Sequence, residues 1–125
     1  MIIGHFSHRK TGDLSVGIID NDDNVVIIDN MKANLLLKER LAVATDAFVA
    51  SLIWQVPQPV RGSTHLYKYS LAYIVRRVCV LRYDNEQSKG DHRHMGEVAL
   101  PYVFTTPEQL LADFWSDVDN WRPES

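Results

Sequence analysis

The sequence predicts an α+β domain: an antiparallel β-sheet of about four to five strands packed against one C-terminal amphipathic helix, with an extra N-terminal β-hairpin. Three observations predict it. A capped and striped helical segment closes the chain, apolar residues alternate with period two through much of residues 33–84, and short polar turns separate those runs.

At the start, Leu14–Asp20 and Val25–Asp29 flank Asn21-Asp22-Asp23-Asn24 and read as a hairpin. Residues 1–30 are therefore set apart as a leader from a domain spanning 31–125, and a chain beginning at Met31 is expected to fold. Leu35, Leu37 and Leu41 then lead in extended pattern to a turn near Ala44-Thr45-Asp46. Phe48 to Val56 is a strand rich in β-branched and aromatic residues, ended by Pro57, Pro59 and Gly62. His65–Val75 and Val78–Asp84 are two further strands, joined as a hairpin at Arg76-Arg77. Tyr67, Tyr69 and Tyr73 share one face, a pattern of sheet packing more often than of base stacking. Cys79, Trp54 and Trp115 read as core residues. Residues 85–96 (NEQSKGDHRHMG) are polar and glycine-bearing, hence a loop that ends at most in a short strand. In the last segment Thr106 caps a helix, Pro107 occupies its first position and Gln109 completes a capping box. Leu110, Phe114, Val118 and Trp121 form its apolar stripe, widened by Leu111 and Trp115.

Composition narrows the class. With 125 residues, 46% of them hydrophobic, the chain can bury one core without disulfides. No apolar run approaches the roughly 18 residues of a membrane helix, and the N-terminus lacks the pattern of a secretory signal. The single cysteine fits a reducing compartment, so a cytoplasmic location with no membrane partner is expected. The formal charge of −3 hides a division: residues 57–95 carry +4 and residues 106–125 carry −4. A basic centre can attract a polyanion such as RNA, although seven cations on a solvated surface are also ordinary.

The densest polar cluster is Arg82, Tyr83, Asp84, Asn85 and Glu86, followed by Lys89, Gly90, Asp91, His92, Arg93 and His94. If Asp91–His94 is extended, His92 and His94 project from one face, Asp91 and Arg93 from the other. Histidine can take or give a proton near neutral pH, and arginine or lysine can neutralise developing phosphate charge. His-x-His is equally a metal-ligand pair, with Asp84 or Asp91 as third ligand, but no Cys cluster or H-E-x-x-H accompanies it. Metal-free chemistry is therefore preferred, with no cofactor. An exposed loop whose histidines do nothing is the bland alternative, as is an Arg82–Asp84 surface ion pair.

At this cluster the chain resembles the TumE family of bacterial and archaeal toxins. The resemblance rests on YKYSLAYIVRRVCVLRYDNEQSKGDHRH and PYVFTTPEQLLADFWSDVDNW, together with MKANLLLKERL and IWQVPQPV, and covers about residues 31–122. RYDNE, GDHRH and the helix entry are its most specific parts. The sequence departs from the family at Arg76-Arg77, where an Asn-Gly turn is frequent, and at residues 96–100, where a glycine-rich acidic link is frequent. What the resemblance implies is the toxin of a type II toxin–antitoxin module, neutralised by a DNA-binding antitoxin, with growth inhibition by RNA cleavage. All nine match family motif positions, and the acid–base reading of the cluster places His92, His94, Arg93, Asp91 and Asp84 in catalysis and Arg82, Tyr83, Asn85 and Lys89 in substrate binding. The alternative is a non-catalytic module that binds protein or nucleic acid. A homodimer is left open.

Overall fold

A computed structural model describes residues 33–123. The leader hairpin, and the boundary set at residue 31, lie outside the described residues. Six strands run as an uninterrupted antiparallel meander: β1 (Asn34–Ala44), β2 (Ala47–Gln55), β3 (Tyr67–Val75), β4 (Val78–Asp84), β5 (His92–Met95) and β6 (Val98–Pro101). One helix, α1 (Pro107–Asn120), follows. The α+β class is as expected; among the described residues the sheet has six strands rather than four to five. The two additional strands are four-residue segments inside and just after the polar run. Their ladder bonds to β4 and to each other, rather than apolar alternation, define them.

Alternation along β2, β3 and β4 gives the sheet one apolar face. Leu37, Val49, Ile53, Tyr69, Leu71, Tyr73, Leu81 and Tyr83 meet Leu110, Leu111, Phe114 and Val118 of α1, and these side chains form the core. Tyr69 and Tyr73 are buried in it, so the tyrosine stripe is packing and not a stacking platform. Thr106 accepts the Gln109 amide at 3.0 Å, as its capping position requires. The Gln109 side chain reaches forward to Asp113 Oδ1 at 2.8 Å. Trp54 and Trp115 are half-buried rather than central.

Two local features depart from simple alternation. The β3–β4 turn places Arg76 and Arg77 at φ 51° and 73°, the left-handed conformation that a two-residue hairpin turn demands and that glycine or asparagine adopts more readily. Asp46 in the neighbouring β1–β2 turn holds it, its carbonyl accepting the Arg76 amide at 2.8 Å and its carboxylate pairing with Nε at 2.9 Å. In β4, the partners of Tyr73 and Ile74 are Leu81 and Cys79, so Val80 is an extra residue. This bulge reverses the facing of everything before it and turns Cys79 outward. Cys79 is exposed, which corrects its assignment to the core.

Candidate functional site

The site is made by the register between β4 and β5. Asp84 stands opposite His92, Tyr83 opposite Arg93, and Arg82 opposite His94. Because facing alternates, these pairs divide between the two sides of the sheet. Arg82, Asp84, His92 and His94 are carried to the face that α1 leaves uncovered. Tyr83 and Arg93 are carried to the helix side. The β5 histidines are therefore half-buried strand residues rather than members of an exposed loop.

On the uncovered side, Arg82, Asp84, Glu86, Lys89, Asp91, His92 and His94 line an open cleft of about 740 Å³, together with Cys79 and Pro101. His92 Nε2 lies 2.9 Å from Asp84 Oδ1. The two imidazoles meet edge to face with centroids 4.7 Å apart. His92 Nδ1 lies 2.9 Å from the Gly90 carbonyl, which accepts its proton and leaves Nε2 turned toward Asp84. Arg82 Nη1 is 3.9 Å from Asp84 Oδ2, and Lys89 lies 3.5 Å from Glu86. Lys68, absent from the sequence-derived set, belongs to this neighbourhood. Burial lowers its amine below the usual range, and the charges of Asp84 and Glu86 oppose that.

Asp91 has a different task. It accepts hydrogen bonds from Ser63 Oγ at 2.7 Å, His65 Nε2 at 2.7 Å and Tyr69 OH at 2.6 Å. The Tyr67 amide donates to His65 Nδ1, which places the ring proton on Nε2, and the ring stacks on Phe104 at 3.8 Å. Burial alone would raise the Asp91 carboxyl; the bonds from His65, Tyr69 and Ser63 outweigh it and hold the group below its ordinary value. Asn85 is fully buried beside this knot, accepting the Tyr69 amide and donating to Ser63 Oγ and the Tyr67 carbonyl. Together these bonds clamp the loop before β3 to the loop before β5. Gly62 lets the two backbones meet: a Cβ there, at φ +99°, would lie 2.8 Å from Gly90 N. Ser63 and His65 were missed as site-positioning residues because no local motif marks them; they are 28 and 26 positions from Asp91.

On the helix side, Arg93 Nη1 donates to Tyr83 OH at 3.1 Å and to Asp117 Oδ2 at 3.2 Å, while Tyr83 OH donates to the same carboxylate at 2.5 Å. Burial and the Asp117 bond push the Tyr83 phenol up to about 12. Nearby, Tyr102 OH donates to Asp113 at 2.6 Å. Of the nine sequence-derived candidates, then, Arg82, Asp84, Lys89, Asp91, His92 and His94 reach the cleft, and Tyr83, Asn85 and Arg93 do not.

The family model Toxin TumE matches residues 19–122. The chain belongs to the TumE toxin family. The match begins within the segment set apart as a leader and ends one residue beyond Trp121. Searches of curated proteins and of solved structures gave no match. Membership makes the protein a toxin of the kind paired with an antitoxin. No helix among the described residues is long and apolar enough to cross a membrane.

Proposed function

We propose that this TumE-family protein arrests growth by cleaving RNA through acid–base chemistry in the cleft. The observation that carries the reading is the convergence of Asp84, His92 and His94 with the cations Arg82 and Lys89 on one open surface. His92 and His94 share the proton work; the Gly90 carbonyl on Nδ1 orients His92 and leaves Nε2, beside Asp84, to exchange the proton. One imidazole takes the proton of a ribose 2′-hydroxyl, whose oxygen attacks phosphorus. The bond to the 5′-oxygen breaks, and the other imidazole protonates that leaving group. The products are a 2′,3′-cyclic phosphate and a 5′-hydroxyl. Arg82 and Lys89 offset the charge gathering on the phosphate. Arg93 serves α1 rather than the phosphate, because its guanidinium is engaged by Tyr83 and Asp117.

The partner in this reading is a DNA-binding antitoxin that covers the cleft and meets Arg82 and Lys89 with carboxylates, so antitoxin and RNA compete for one surface. The test is incubation of purified protein with RNA, followed by analysis of the cut ends. Cyclic phosphate ends are expected, with loss of about 10²–10⁴ in rate for His92→Ala or His94→Ala. Intact RNA, or growth arrest that survives both substitutions, would leave a non-catalytic binding role in its place.

A further inference from the structure

We propose that Asp84, His92 and His94 also form a binding site for one divalent transition-metal cation of the zinc class, and that the bound ion switches the cleft off. The inference deepens the acid–base reading above and rests on it. Three arguments carry it. First, one ligand atom from each residue lies within 4.8 Å of the other two. A tetrahedral zinc site with bonds of about 2.0–2.1 Å sets neighbouring ligands about 3.3 Å apart. His92 and Asp84 already stand at 2.9 Å, so a rotation of the His94 side chain supplies most of the adjustment.

Second, Asp84 Oδ1 is buried and receives no hydrogen bond, although His92 Nε2 is its close neighbour. The contact is short but out of line for an N–H donor. With the His92 proton placed on Nδ1 by the Gly90 carbonyl, Nε2 and the carboxylate oxygen lie 2.9 Å apart with no proton between them, and a cation bound to both relieves the repulsion. A backbone carbonyl on the far nitrogen is also the usual support for a metal-bound imidazole. Third, the donor set is two nitrogens and one carboxylate, which suits zinc, nickel or copper better than magnesium or calcium. Arg82 approaches the other carboxylate oxygen, Oδ2, and leaves Oδ1 to the ion. Three protein ligands leave a fourth position open toward the cleft. An ion there holds the lone pairs that proton transfer uses, so metal and acid–base chemistry exclude each other.

The experiment uses the full chain, stripped with chelator and dialysed. Zn²⁺ is titrated by calorimetry, Co²⁺ by its visible absorption, and RNA cleavage is measured on the same samples. One equivalent is expected to bind, with at least tenfold weaker binding in His94→Ala and in the isosteric Asp84→Asn, circular dichroism confirming the fold of each. Cleavage is expected to persist in EDTA, to fall at least tenfold with one equivalent of Zn²⁺, and to return on chelation. Absence of one-to-one binding, or binding unchanged in both variants, overturns the site whatever the activity. Binding at the trio with cleavage that requires Zn²⁺ overturns the switch, and with it the metal-free proton transfer proposed above. If RNA is never cut, that reading alone fails and the titration still decides the site.

Discussion

The two sides of the β4–β5 ladder carry nearly the same chemistry and use it differently. On the helix side Tyr83, Arg93 and Asp117 bond one another and the phenol both donates and accepts, Arg93 Nε being the one buried atom of the trio without a hydrogen bond. On the uncovered side Arg82, Asp84, His92 and His94 are as close in sequence, yet a carboxylate oxygen lacks a hydrogen bond and the two rings touch only edge to face. A polar group whose partners are all supplied by its own chain has nothing left to offer a ligand. His94 lines the cleft with only a ring contact to its own chain, and is available to substrate. The difference separates residues that hold the fold from residues that act, within a stretch of thirteen positions that composition treats as one cluster.

The comparison breaks most severely if the helix is loosened. Phe114 is fully buried against Tyr83, with ring centroids 5.4 Å apart. Phe114→Ala is expected to cost about 3–5 kcal/mol, read from urea unfolding. Removing only the phenol oxygen is milder: Tyr83→Phe should cost about 1–3 kcal/mol, because Asp117 and Arg93 lose a charge-assisted partner.

The Asp91 knot sharpens the contrast through pH. Its carboxyl is held below the ordinary value in the fold, so the stabilisation is complete above about pH 4, where the unfolded group is ionised, and is lost as pH falls through the lower folded value. Asp91→Asn should therefore be less stable than the parent at pH 7, with the gap narrowing toward acid. Denaturant midpoints at neutral and acid pH measure it. The smallest effect belongs to the β3–β4 turn. Arg77→Gly should stabilise by about 0.5–1 kcal/mol, since glycine accepts φ 73° without a Cβ clash and the Arg76–Asp46 pair is kept. An unchanged thermal midpoint would show that the turn bears no strain.

These regions also differ in how far the sequence discloses them. The helix was legible because its signals are local: Thr106, Pro107 and the stripe from Leu110 to Val118 lie within one element. The β3–β4 hairpin was legible for the same reason, and so was the shared facing of His92 and His94. β5 was legible only as a short strand that could end the polar run, and β6 was not, because four polar-flanked residues carry too little period to stand out and it is pairing, β5 with β4 and β6 with β5, that makes them strands. Alternation alone puts Cys79 in the core, and one bulge residue, Val80, inverts that alternation and turns it outward. The roles of Asp91, Tyr83 and Arg93 depend on Ser63, His65, Tyr69 and Asp117, between 22 and 34 positions from their partners, and no spacing rule reaches that far.

The central claim is that the uncovered side acts while the helix side supports. It is tested most directly by measuring RNA cleavage and urea unfolding on the same preparations of the parent, His94→Ala and Tyr83→Phe. His94→Ala should lose about 10²–10⁴ in cleavage rate with its midpoint nearly unmoved, since the imidazole of this half-exposed residue has only a ring contact to lose. Tyr83→Phe should unfold at lower urea and, while folded, cut RNA at close to the parental rate. Full cleavage by His94→Ala, or a Tyr83→Phe protein that keeps its stability and loses its activity, would contradict the division.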